Sequence, residues 1–292
     1  MNLIGEEMFT TKNYIMNIRK HYLHSLFAIT ILFSACKGND KKTDPEMKEP
    51  KLKEENVTYS SDSTNMLGYV VYDENIEGPR PAVIVIPEWW GFNDYAKMRA
   101  KELAKLGYIA MAMDIYGDGQ QADNPTDAMK LAGPFYQNPE MAKPRFDAAM
   151  EKLKSYSQAD TQNMAAIGYC FGGAQVINLA KMGEPLKGVV SFHGNLMVTP
   201  ADKNMLKAQI LVCHGADDPL VSAEEVAKFK NEMDSIGATY SFKAYEGAVH
   251  AFTNPNATAV GEKFPDLPVK YNAAADTASW NDMKSFFNSL FK

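Results

Sequence analysis

The sequence predicts an α/β fold with a mostly parallel central sheet flanked by helices on both faces. Two observations carry this. Residues 81–86 (PAVIVI) are apolar at nearly every position, as suits a parallel strand covered on both sides. Such runs alternate with segments of helical spacing, the pattern of strands joined by crossover helices.

In chain order, residues 67–72 and 81–86 read as strands. Residues 94–106 have helical spacing, with Tyr95, Met98, Leu103 and Leu106 on one side and Gly107 as a stop. A strand follows at 108–113. Residues 117–138 are rich in Gly, Asp, Gln, Asn and Pro, and read as loop and short helix over the top of the sheet. Helices are expected at 142–156, 171–181, 223–236 and 277–291. Strands are expected at 164–168, 186–192, 209–214 and 240–245.

Residues 57–292 are read as the folded domain. Before it, Arg19, Lys20, His21 and His24 precede an apolar run from Leu26 to Phe33 and then Ser34-Ala35-Cys36. Basic region, short apolar core and small residues before a cut site make an export signal over residues 1–36, with Met16 a natural start. The run is shorter than the roughly 20 apolar residues that span a bilayer. Its ending is that of a bacterial lipoprotein signal, with Cys36 as the lipidated residue; a plain signal peptide with a coincidental cysteine is the alternative. Residues 37–56 are charged and lack aromatics, so they are expected to form a flexible tether. The expected location is the bacterial cell envelope, with the membrane reached through the lipid anchor alone.

The net charge of −6 argues against a broad electrostatic grip on nucleic acid. Three cysteines form no disulfide framework, and His and Cys do not cluster at ligand spacing, so no metal or cofactor is expected. A small molecule is the expected partner, bound by a monomer or small oligomer.

Gly168-Tyr169-Cys170-Phe171-Gly172-Gly173 lies between an expected strand and an expected helix. That is the setting of a nucleophile elbow, here with Cys in place of Ser. The sharp turn needs small neighbours, the helix N-terminus favours a thiolate, and the Phe171 amide faces a developing oxyanion. A buried structural cysteine is the plainer reading. Asp217 and Asp218 follow a later strand, and either carboxylate could orient an imidazole; Asp218 is favoured. His250, just after the last strand, is the candidate base. His193 could line the pocket or be structural. The order Cys170, Asp218, His250 is that of nucleophile, acid and base. After residues 81–86 comes Pro87-Glu88-Trp89-Trp90-Gly91, where Trp89 would donate the second oxyanion amide. Glu88 beside it would be costly if merely buried, and could partner the thiol. Trp89 and Trp90 are otherwise pocket wall. Cys213 reads as a small buried hydrophobe.

Glu88, Asp114-Ile115-Tyr116, the Cys170 segment, the Asp218 loop and residues 247–252 together resemble the dienelactone hydrolase family, with its α/β-hydrolase fold. The resemblance implies carboxylic ester, lactone or thioester hydrolysis. It assigns Cys170 as nucleophile, His250 as base, Asp218 as orienting acid and Glu88 as the group controlling thiol protonation, and puts Tyr116 in the pocket. Members that hydrolyse dienelactone clamp its carboxylate with two arginines. Asp118 and Asn254 stand at those places, so dienelactone itself is not the expected substrate. A non-catalytic envelope lipoprotein that keeps the pocket for binding is the rival expectation.

Overall fold

A computed structural model describes residues 49–196 and 199–292 of the chain. The expected signal, Cys36 and most of the tether lie outside the described residues.

Among the described residues, eight strands form one sheet in the order β1-β2-β4-β3-β5-β6-β7-β8. The strands are β1 (Leu52–Ser61), β2 (Thr64–Asp73), β3 (Arg80–Ile86), β4 (Ile109–Met113), β5 (Ala159–Tyr169), β6 (Gly188–Phe192), β7 (Gln209–Gly215) and β8 (Tyr240–Tyr245). β1 and β2 are antiparallel, and β2 meets β4 antiparallel. From β4 to β8 every pairing is parallel.

The helices are α1 (Asp94–Lys105), α2 (Pro125–Gln137), α3 (Ala142–Lys154), α4 (Phe171–Lys181), α5 (Ala223–Ile236), α6 (Ala257–Lys263) and α7 (Ala273–Leu290). The pleat of β3 explains its unbroken apolar run. Ala82, Ile84 and Ile86 enter the core that α3, α4 and α5 cover, whereas Val83 and Val85 enter the core beneath α1 and α7.

Four expectations need correction. β1 begins at Leu52, inside the segment expected to be a tether. Its charged residues belong to an edge strand, where half the side chains face water, and Glu55, Val57, Tyr59 and Ser61 turn inward in alternation. The 117–138 segment contains a full helix, α2, with Asn124 as its N-cap and Pro125 at its first turn. α6 was not anticipated, because seven residues carry too little periodicity. α1 buries Tyr95, Ala96, Arg99, Ala100, Leu103 and Ala104, and Leu106 is instead 40% exposed. Leu106 is the C-cap, where the helix ends, so it falls off the buried face.

Candidate active site

Each candidate residue stands just past the carboxyl end of a strand. Glu88 follows β3, Cys170 follows β5, Asp218 follows β7 and His250 follows β8. Parallel strands all deliver their carboxyl ends to one edge of the sheet, so residues far apart in the chain converge there.

Cys170 sits between β5 and α4 with φ 51° and ψ −115°. Left-handed backbone of this kind costs a non-glycine residue about 1–3 kcal/mol. The turn is held by its surroundings. The Cys170 amide donates to the Phe192 carbonyl at 2.9 Å and to His193 Nδ1 at 3.1 Å. A Cβ on Gly168 would strike the Gly172 carbonyl, and one on Gly172 would strike the carbonyls of Ile86 and Pro87. The strand–helix crossing is therefore too close for any larger residue at either position.

His250 is buried and its Nδ1 lies 2.8 Å from Asp218 Oδ2. Asp218 Oδ1 accepts the Leu220 amide at 2.8 Å, so both carboxylate oxygens are engaged. Asp217 is exposed, and its amide donates to the Ala248 carbonyl in the loop after β8. Burial pushes the His250 imidazole down, but the Cys170 sulfur and Asp218 outweigh it and hold the ring at about 10. A proton on His250 is thus stabilised from both sides, by the sulfur and by the carboxylate.

The amides of Trp89 and Phe171 donate to no group among the described residues. The Trp89 turn is braced by its own carbonyl, which accepts the Tyr116 hydroxyl at 3.0 Å. Tyr116 is thereby buried behind the loop, its ring packed against Phe135 and Phe171, and it does not line the cavity as expected. Asp118 is exposed and also lies outside the cavity lining. It occupies a turn with φ 53°, set by Asp114, whose carboxylate accepts the amides of Tyr116, Gly117 and Gly119. The Asp114 turn directs residue 118 to solvent, so sequence distance from Tyr116 misplaces it.

Trp89, Trp90 and Asn254 do line the cavity, with Glu88, Cys170 and His250. Glu88 is 2% exposed. Its Oε2 accepts the Asn254 Nδ2–H at 2.7 Å, and no hydrogen bond joins it to Cys170 among the described residues. Burial pushes its carboxyl up to about 7, against the pull of Asn254, His250 and Arg99. A folded-state value above the unfolded 4.5 means stability is fully present below pH 4.5 and is lost as pH rises through 7. Glu88→Gln is expected to gain roughly 3 kcal/mol over wild type at pH 8, with the gain vanishing at pH 4. Urea melts at the two pH values check this; an equal difference at both would show that the carboxyl does not titrate across that range.

Sequence reasoning missed the support beneath the elbow. His193 is fully buried, and burial, with His250 and Arg99 nearby, holds it neutral, well below the usual imidazole range. Its Nδ1 accepts from Cys170, so its Nε2–H meets Thr253 Oγ1 at 2.7 Å. Thr253 Oγ1 lies 2.6 Å from the Tyr95 hydroxyl. Arg99 donates to the Tyr95 oxygen, to the Thr253 carbonyl and to Asp276. This chain ties α1 and α7 to the turn that carries Cys170. The signal available was an arginine one turn from Tyr95 on a buried face, an expensive placement unless every donor is used.

Cys213 is fully buried, and burial pushes its thiol up to about 12. It is unsuited to nucleophilic work. Among the described residues, no group of three His, Cys, Asp or Glu side chains is placed to hold a metal ion.

The dienelactone hydrolase family model matches residues 66–291. The protein usf of Aquifex pyrophilus is 30% identical over 212 residues, covering 71% of this chain and 87% of that one. A chain of Aquifex aeolicus with the provisional name carboxymethylenebutenolidase is 27% identical over 241 residues, covering 81% of this chain and 98% of that one. Among solved structures, a dienelactone hydrolase-like promiscuous phosphotriesterase from metagenomic libraries is 36% identical with a TM-score of 0.76, over 82% of this chain and 98% of that one. A family model spanning nearly the whole described domain and a shared fold agree: the chain belongs to the dienelactone hydrolase family and is a carboxylic-ester hydrolase of the α/β-hydrolase fold.

Proposed function

We propose that Cys170 is the nucleophile of an acyl transfer to water, with His250 as base and Asp218 as its orienting acid. The observation that carries this is His250, hydrogen-bonded to Asp218 at 2.8 Å and lining one cavity with a cysteine on a strained elbow.

The Cys170 thiolate attacks the carbonyl carbon of an ester, lactone or thioester, and the electron pair moves onto the carbonyl oxygen. The free amides of Trp89 and Phe171 hold that oxyanion. The tetrahedral intermediate collapses, and the alcohol or thiol leaves with the proton from His250 Nε2. Water then gives a proton to His250 and attacks the acyl carbon, and Cys170 departs as thiolate. Glu88, whose carboxyl changes charge near neutrality, would bias how strongly the imidazole holds its proton.

Mass spectrometry of the protein mixed with a p-nitrophenyl ester is the test. An acyl adduct on Cys170 during turnover is expected, and turnover with an adduct on another residue would sink the assignment. The names of relatives such as the Aquifex aeolicus chain support lactone and ester substrates. Dienelactone is a poor fit, because among the described residues no lysine or arginine lines the cavity to meet its carboxylate.

The lipoprotein reading stands as a further part of the proposal: Cys36 carries the lipid and anchors the enzyme in the cell envelope. Metabolic labelling with palmitate is expected in the native protein and absent from Cys36→Ser; equal labelling of both would refute it.

A further inference from the structure

The cavity over Cys170 has a volume of about 350 Å³. Its wall is apolar, with Trp89, Trp90, Tyr136, Leu267 and Val269 along it. Its polar side chains are Glu88, Asn195, Asn254 and His250, with the Tyr136 hydroxyl and the Trp89 and Trp90 indole N–H groups at the edges of the aromatic wall. Most of that polarity is already spent. Asn254 gives Nδ2 to Glu88 and accepts the Asn256 amide on Oδ1, and Asn195 gives Nδ2 to the Leu220 carbonyl.

Two further residues line it in an unusual way. Met129 on α2 is 51% exposed and Leu220, between β7 and α5, is 45% exposed. Singly such side chains would be ordinary surface, but both line the same cavity and so continue its apolar wall. They extend the apolar lining outward to solvent.

Under the mechanism above, the acyl group stays on the Cys170 sulfur after the alcohol has left. It is tethered in this cavity for the life of the intermediate, so the cavity selects the acyl arm. A carboxylate on that arm would lose its hydration among aromatic and aliphatic walls. It would gain no lysine or arginine, and would face the Glu88 carboxyl.

We propose that this enzyme is selective for esters of uncharged, apolar acyl groups, and that Met129 and Leu220 extend the binding of the acyl chain to the mouth of the cavity. The inference rests on Cys170 being the nucleophile. It differs from that reading in naming what the nucleophile receives.

The test is a series of p-nitrophenyl esters with the full-length protein. From acetate to hexanoate, kcat/KM is expected to rise about three- to fourfold per methylene, from roughly 0.8 kcal/mol per buried CH₂. The pentanoate ester is expected to exceed the near-isosteric monosuccinate ester by on the order of a hundredfold. In a Met129→Ser, Leu220→Ser double variant, the ratio of hexanoate to acetate is expected to fall about tenfold. That ratio, taken within one protein sample, cancels any loss of folded material. A flat chain-length profile, equal rates on pentanoate and succinate, or an unmoved ratio in the double variant would each overturn the proposal. Cys170→Ala run on the same series separates the two failures. If it abolishes turnover, the mechanism stands whatever the substrate order. If it does not, the mechanism falls and this inference falls with it.

Discussion

Cys170→Ala is expected to lower kcat/KM by about 10⁴-fold or more on any ester the wild type turns over. The variant keeps the two free amides of Trp89 and Phe171 and the cavity, so a small residual rate from binding and oxyanion stabilisation remains. Alanine tolerates φ 51° no worse than cysteine does, so the melting temperature should stay within a few degrees. A second readout is independent of turnover. The Cys170 sulfur is one of the two groups that hold His250 at about 10, so the His250 titration followed by NMR should move to lower pH in the variant. A wild-type rate in Cys170→Ala, or a His250 titration that does not move, would remove Cys170 from the chemistry.

Asp218→Asn is expected to cost roughly 10³- to 10⁴-fold at neutral pH, and the reason is geometric. Both carboxylate oxygens are acceptors in the wild type, one for the Leu220 amide and one for His250 Nδ1–H. Asparagine has one acceptor and one donor in the same two places. The Leu220 N–H is fixed in the backbone and claims the oxygen, which turns the NH₂ toward Nδ1. His250 must then carry its proton on Nε2, facing the sulfur, and cannot accept the proton of Cys170. Asp217→Asn, at an exposed turn residue, serves as the control and should change kcat/KM less than twofold. Equal effects of the two substitutions would mean that Asp218 does not orient the base.

Much of the fold was legible because parallel strands buried on both faces leave a strong trace. The 81–86 run lies within β3, and the expected 223–236 helix and 240–245 strand coincide with α5 and β8. β1 was not legible, because an edge strand pairs on one side only and tolerates the charges of a linker. The side chains that line the cavity were legible only in part. Trp90 and Asn254 reach it, whereas Asp118 does not, since Asp114 gathers the amides of Tyr116, Gly117 and Gly119 into a turn that leaves Asp118 exposed.

Local chemistry is what the amino-acid order determines by itself. A cysteine with glycines two places before and after it, between strand and helix, reads as a sharp turn. The periodicity that follows it dictates the sheet, and the sheet dictates that the candidate groups share one edge. The state of those groups was decided by tertiary structure alone. Glu88 rises to about 7 only because the fold buries it, and the opposing pull comes from Asn254, 166 residues away in the chain. His193 and Arg99 brace the Cys170 turn only because β6, α1 and α7 pack there. Spacing along the chain encodes backbone geometry, whereas burial and charge depend on neighbours that only packing supplies.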